Sequence, residues 1–502
     1  MTLPWLTILG LTPIIGALVM CIPTSKGQAK AAGLLFALAT LIFSVSVTIN
    51  YLGGMNLAEQ VPWIPAFGAH WALNLDGMGL VMVLLTAILT PVVLIAEWGV
   101  AERVGRWSPR AFTGLVLLLE GLCLFVFMAE DVLLFYLLFE ATLLPMYFLI
   151  GGFGGARRGY AAVKFLLFGL AGGLVMLVSV IGVYVWSAQN GSPSYLISDL
   201  AALPGNSGTG WLLMSCFLIA FILKAPMVPV HTWLPSAAEE ATPGTSVLMV
   251  GVMDKIGTFG MIKICLAIFP VESQAVAPAM ITLALISIIY GALAAIGAKN
   301  LLRLVAYTSI SHFGFMVLGI YTFTSVGVSG SIFYMVNHGF STAALFLVLG
   351  FLINRGNSAK VASYGGVQKV APVLAGFLLL AGLSSLALPG MSSFVSEFMV
   401  MAGTWSRIPW VAVISALGTV LAAVYILLMY QRTMTGPLPP AVREAVATDL
   451  NLRERAIGGF LVAVILLLGF VPNLALSVIE PTAQHTVQVV GVADPVPEMG
   501  GE

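Results

Sequence analysis

Residues 132–152 read VLLFYLLFEATLLPMYFLIGG, an apolar run that carries one charge, Glu140, near its middle. At 1.5 Å per residue, about 20 helical residues span the roughly 30 Å hydrocarbon core of a bilayer, and this run has that length. A lysine or acid at the centre of a membrane helix costs about 2.5–3.5 kcal/mol on insertion scales. Glu140 therefore belongs inside a bundle, beside water or a partner charge. A barrel strand would alternate apolar and polar residues over about ten positions, and this run does not alternate.

The rest of the chain repeats the pattern. Of its 502 residues 60% are apolar and only 8% charged, whereas an ordinary soluble domain is about 25% charged. A water-soluble enzyme and a disordered chain are excluded, and 21 basic residues against 21 acidic ones leave no surface for nucleic acid. Cutting at polar, Pro and Gly breaks gives runs at 3–22, 31–53, 78–98, 111–129, 132–152, 160–187, 211–235, 244–267, 276–297, 302–323, 328–353, 371–404, 409–431 and 457–477. The expected fold is an all-α polytopic membrane protein of about 14 transmembrane helices.

Loops after odd-numbered helices hold sixteen Lys and Arg residues and loops after even-numbered helices hold only Arg407. Basic residues collect on the cytoplasmic side, so both termini are expected on the non-cytoplasmic side. The first basic residue is Lys26, which argues for a retained first helix rather than a cleaved signal peptide. Loops 54–77 and 188–210 lack Lys and Arg and read as capping structure, 433–456 as an amphipathic element, and the tail after Pro481 as polar and flexible. Cys21, Cys123, Cys216 and Cys265 lack metal-ligand spacing and read as small hydrophobes.

Beyond the seventeen loop cations, four lysines lie inside apolar runs: Lys164, Lys224, Lys255 and Lys263. Lys224, in FLIAFILKAPMVPVHTWLP, is the natural partner for Glu140. Pro226 and Pro229 follow it, so the seventh helix should break there, and a break at membrane depth must be buried or face a water-filled cavity. An ordinary proline kink is the alternative. Lys255 is central in SVLMVGVMDKIGTFGMIKI, with Asp254 before it. Neighbours in sequence point about 100° apart on a helix, so these two need not pair. Lys164 and Lys263 are nearer helix ends, where snorkelling competes with a functional reading. His231 stands at the end of the seventh run, either on a proton path or as an interface residue.

His312 and His338 lie on the tenth and eleventh helices beside Ser309, Ser311, Asn337, Ser341 and Thr342, as suits a hydrated proton path. Glu397 follows Pro389 and Gly390 in the twelfth run. Two broken helices, the seventh and twelfth, are five helices apart and so cross in opposite directions. That spacing is the mark of two inverted five-helix repeats. The domains expected are 1–110 for the first three helices, 111–267 and 276–431 for the repeats, 457–477 for the last helix and 478–502 for the tail. No metal cage or nucleotide loop appears in the sequence.

Taken together these stretches resemble the antiporter-like membrane subunits of respiratory complex I and the related multisubunit sodium/proton antiporters. LLFYLLFEATLLPMYFLIGGFGG, LKAPMVPVHTWLP, LLRLVAYTSISHFGFMVLGIY, NHGFSTAALFLVLG and LALPGMSSFVSEF occur in the family's order and cover nearly the whole chain. The resemblance implies that Glu140 and Lys224 are the acid and lysine of the fifth and seventh helices. It makes Lys255 the central lysine, and His312 and His338 the link between half-channels. The glutamate at 397 points to the M branch, where other branches have lysine, and the length fits a chain without the lateral helix of the L branch. Implied with it are proton translocation in NADH:quinone oxidoreductase and L-type and N-type neighbours in a prokaryotic inner or plasma membrane. No cofactor is expected on this chain; NADH, FMN, iron–sulfur clusters and quinone belong to other subunits. A sodium/proton antiporter subunit is the alternative. Ser236, Ala238, the stretch ATPGTSV and Asp254 depart from the commonest family pattern, and Asp254 stands where an apolar residue is more usual.

Overall fold

The computed structural model describes residues 3–22, 25–203 and 207–495. All fourteen apolar runs fall on helical structure. In chain order these helices are α1 (Trp5–Val19), α2 (Lys26–Leu52), α3 (Gly77–Ala96), α4 (Pro109–Met128), α5 (Val132–Phe153), α6 (Arg158–Gln189), α7 (Ser207–Lys224), α8 (243–266) and α9 (Pro270–Gly297). They continue with α10 (Leu301–Tyr321), α11 (Ser325–Gly356), α12 in two pieces (Pro372–Ser385 and Ser392–Trp405), α13 (Pro409–Met434), α14 (Leu452–Phe470) and α15 (Asn473–Val490). Among the described residues nine helices are long and apolar enough to cross a membrane, or ten if the bent α14–α15 pair is one span. The chain is a multi-pass α-helical membrane protein.

Contacts divide it into two compact units, Met1–Ala225 with Thr232–Phe269, and Pro226–His231 with Pro270–Glu502. In the first unit the segment after α2 is an antiparallel hairpin, β1 (Glu59–Ile64) with β2 (Ala69–Leu73), where the sequence promised only a capping loop. Asp131 joins this hairpin to α5. Its carboxylate accepts the N–H groups of Leu133 and Leu134 at 2.9 and 3.0 Å, capping the helix, and that of His70 at 2.8 Å.

Helices α3 and α8 are tied together at both ends. At the hairpin end Lys263 of α8 meets Glu130 at 2.6 Å and Asp76, the N-cap of α3, at 3.3 Å. At the other end Glu97, the C-cap of α3, accepts the Gly244 N–H at 2.9 Å and pairs with Arg103 at 2.9 Å. Lys263 thus completes an ion-paired clip.

In the second unit α11 is buried along nearly its whole length. Arg355 in its last turn meets Glu454 at 2.6 Å, and Glu454 closes a capping box with Asn451 at the start of α14. Between α13 and α14, in the stretch expected to be amphipathic, only Pro440–Ala445 adds a further helix. The sequence placed the last span at 457–477 and a flexible tail beyond Pro481. Instead α14 stops at Phe470, the chain bends by 61°, and α15 runs through Pro481 to Val490. Leu476, Ile479, Ala483, Val487 and Val490 recur at helical spacing on its buried face, so the segment has a core contact that its polar content concealed. Residues 496–502 of the expected tail lie outside the described residues.

Candidate functional site

In the first unit the chemistry gathers where three helices lose regularity. The two halves of α5, Val132–Ala141 and Leu143–Phe153, meet at Thr142, two residues after Glu140. The Glu140 carboxylate lies against Gly173 of α6, where an added Cβ would stand 1.8 Å from Oε1. That oxygen is buried and has no hydrogen-bond partner.

Helix α7 ends at Lys224, as the two prolines require, and the chain turns through 225–232 before the short helix Trp233–Glu240. Trp233 donates its indole N–H to the Leu223 carbonyl at 3.0 Å, satisfying one of the groups the break sets free. Lys224 is 4% exposed. Its ammonium donates to Thr142 Oγ1 at 3.4 Å and stands 4.8 Å from the centre of the Phe139 ring, a cation–π distance. A cavity of about 10 Å³ borders it, lined by Phe139, Phe165, Gly169 and Trp233 among others. That volume is about what one water needs. The expected Glu140–Lys224 ion pair is not made: no oxygen of Glu140 comes within 4.0 Å of Lys224 Nζ. The two interact at longer range, and Asp254 is a further electrostatic neighbour of Lys224.

Helix α8 departs from α geometry on both sides of its lysine, with π-helical turns at Val247–Met253 and Met261–Leu266 around the regular piece Lys255–Gly260. Such turns are frequent at functional sites because they disturb the i−4 ladder. Here Lys255 Nζ donates to the Val250 carbonyl at 2.8 Å, and Lys255 is wholly buried. Asp254 is also wholly buried, and neither carboxylate oxygen has a hydrogen-bond partner. Lys164 is separate from this group, its ammonium hydrogen-bonded to Ser236 at 3.1 Å and facing the Tyr160 ring.

In the second unit His231 packs edge-on to Tyr290, with ring centres 4.8 Å apart. His312 and His338 form a similar edge-on pair at 5.2 Å. Tyr334 is one helical turn before His338 on α11 and lies 5.7 Å from the His312 ring. Its hydroxyl donates to Glu397 Oε2 at 2.8 Å, and Thr419 donates to Oε1. Tyr425 adds a hydroxyl 3.4 Å from His312 Nε2. Glu397 follows the break in α12, where Ala387 and Gly390 both have positive φ, +58° and +92°. For alanine that conformation costs on the order of 1–3 kcal/mol, so the surrounding structure must hold it. Asn337 does part of this, donating to the Ser392 carbonyl at 2.9 Å across the break.

Sequence reading missed Glu120, Thr142, Tyr334, Thr419 and Tyr425. Glu120, in LLLEGLCLF of α4, is 2% exposed, and neither carboxylate oxygen has a hydrogen-bond partner. Like Glu140 it is an acid inside an apolar run, and that signal was present in the sequence. The tyrosine at 334 was detectable, since it lies four residues before His338 and so on the same helix face.

A family model described as "NADH:quinone oxidoreductase/Mrp antiporter, TM" matches residues 129–422, more than half of the chain. The chain belongs to this family. Within it, the NADH-quinone oxidoreductase subunit M of Mycobacterium tuberculosis is 44% identical over 533 aligned residues, covering 99% of this chain and 96% of that one. Subunit M of Rhodobacter capsulatus is 35% identical, with 96% of each chain covered. Among solved structures, a chain of respiratory complex I from Thermus thermophilus superposes with a TM-score of 0.86 at 30% identity, over 97% of this chain and all of that one. A chain of the Mrp complex from Dietzia reaches the same TM-score at 20% identity, covering 98% and 100%, a likeness of fold.

Proposed function

We propose that this chain is a proton-translocating membrane subunit of NADH:quinone oxidoreductase, moving protons in response to electron transfer in other subunits. The observation that carries the reading is the group of half-buried Glu140 and buried Lys224, Asp254 and Lys255, gathered at three disturbed helices without an ion pair between Glu140 and Lys224. Groups left this way respond to a change in a neighbouring charge, because opposite charges within a few ångströms govern protonation in a dry interior. Moving one charge against the membrane potential takes about 2.3 kcal/mol per 100 mV, between one and two pKa units. Coupling of that modest size suffices.

In this reading Lys255 takes up a proton, His312 and His338 receive it in the second repeat, and Glu397 releases it. Pairing between Glu140 and Lys224 controls the charge on Lys255 and signals to the neighbouring subunit. Asp254 and His231 are accessory, while Lys164 and Lys263 fall outside the path. Segments 111–267 and 276–431 act as inverted repeats. The loop cations support both termini on the non-cytoplasmic side of a prokaryotic plasma membrane. Partners are the other membrane-arm subunits, L-type and N-type among them, with NADH, FMN, iron–sulfur clusters and quinone held elsewhere.

The test is proton pumping by the purified complex in vesicles, with sodium present and absent. Co-purification with NADH-oxidising subunits and sodium-independent pumping lost in Lys224→Ala is the expected result. Recovery of a complex made only of membrane subunits, with sodium transport, would overturn it in favour of an antiporter.

A further inference from the structure

Asp254 is wholly buried, and its two carboxylate oxygens accept no hydrogen bond. A buried carboxylate without donors is costly unless a nearby cation supports it. The backbone shows which cation is at hand. A Cβ added at Gly257 would stand 2.6 Å from both the Ala225 nitrogen and the Phe221 carbonyl oxygen, and Phe221 also covers Gly260. The end of α7 therefore lies directly on this face of α8. Asp254 is three residues before Gly257, on the same face one turn away, and so is turned toward the end of α7 that carries Lys224. Charge interactions agree: Asp254 is within electrostatic range of both Lys224 and Lys255. Lys224 meanwhile rests on neutral groups, the Thr142 hydroxyl and the Phe139 ring.

We propose that Asp254 is a second counter-charge for Lys224, so that the Lys224 ammonium alternates between Glu140 and Asp254. With Lys224 drawn to Glu140, the Asp254 carboxylate is left to support a protonated Lys255. With Lys224 drawn to Asp254, that support is shared and the Lys255 proton is released onward. Asp254 is thus a positioning residue that makes the two lysines compete for one negative charge. This deepens the function proposed above and rests on it.

The experiment uses the assembled complex in vesicles, comparing Asp254→Asn, Asp254→Leu and Asp254→Glu for protons pumped per NADH oxidised. Asp254→Leu replaces the carboxylate with an apolar side chain of similar reach and serves where Asn fails to assemble. Asn and Leu are expected to lower pumping roughly tenfold, while Glu keeps most of it. Infrared spectra of the complex during turnover supply a readout that packing alone does not move. A carboxylate band removed by Asp254→Leu should vanish also in Lys224→Ala, where Asp254 is still present. Parent-like pumping in Asp254→Leu, equal losses in Leu and Glu, or a band that survives Lys224→Ala would each overturn the proposal. Full pumping by Glu140→Gln or Lys224→Ala would instead overturn the underlying function, so the two failures are distinguishable.

Discussion

The two units each hold a buried acid beside a broken helix, but they satisfy it in opposite ways. In the second unit both oxygens of Glu397 accept from neutral hydroxyls, those of Tyr334 and Thr419. In the first unit Glu140 and Asp254 have carboxylate oxygens without donors, while Lys224 sits on a hydroxyl and a ring. Hydroxyls can pass a proton along while fixing the acid in place. An array of buried ions held apart is fixed less firmly and answers to charge. In the function proposed above, one fold thus carries a responsive site and a conducting one, although both arise from a proline-marked break.

The largest expected effect attacks the responsive site. Lys224→Ala and Glu140→Gln should each abolish pumping, because removing one member leaves the others buried without compensation. Parent-like pumping from an assembled variant of either would erase the contrast. Next comes Glu397. Glu397→Gln should reduce pumping strongly, while Tyr334→Phe and Thr419→Val, which remove one hydroxyl each, should reduce it by several-fold less. If the hydroxyl variants match Glu397→Gln, the hydrogen bonds and not the acid dominate that site.

A third change sharpens the comparison within α8. Lys263→Met removes the cation from Glu130 and Asp76, so the thermal midpoint of the complex should fall while protons pumped per NADH stay near the parent value. A matching loss of pumping would move Lys263 onto the path. Smallest of all is Lys30→Met at the hydrogen-bonded pair with Glu102. The Lys30 hydrogen bond holds the Glu102 carboxyl below its ordinary range. Support from a carboxyl so depressed is full at neutral pH and is lost as pH falls through the lowered value. The pair is partly exposed, so about 0.2–1 kcal/mol is expected at pH 7, read as a small melting difference that disappears in acid.

Much of this was legible in the sequence because membrane insertion penalises charge so heavily. Every apolar run falls on helical structure, and Glu140, Lys224, Lys255 and Glu397 drew attention because each is out of place in hydrocarbon. What escaped has physical reasons. Tyr334, Thr419 and Tyr425 carry little insertion penalty, so nothing marked them as polar lining. The ion pair expected between Glu140 and Lys224 depends on side-chain reach across helices, which spacing cannot supply. The π turns around Lys255 leave no signature in the sequence of the run, and α15 was hidden because its apolar stripe is narrow among polar residues.

Those π turns take on mechanical meaning from the clips at either end of α8. With Gly244 held by Glu97 and Lys263 held by Asp76 and Glu130, the helix behaves as a rod clamped at both tips against α3. A clamped rod cannot slide or tilt without breaking a clamp. The adjustment left to it is local rewinding, in which one residue passes between α and π turns and nearby side chains swivel by about 100° per residue. Motion at Lys255 is thereby rotary and confined to mid-helix.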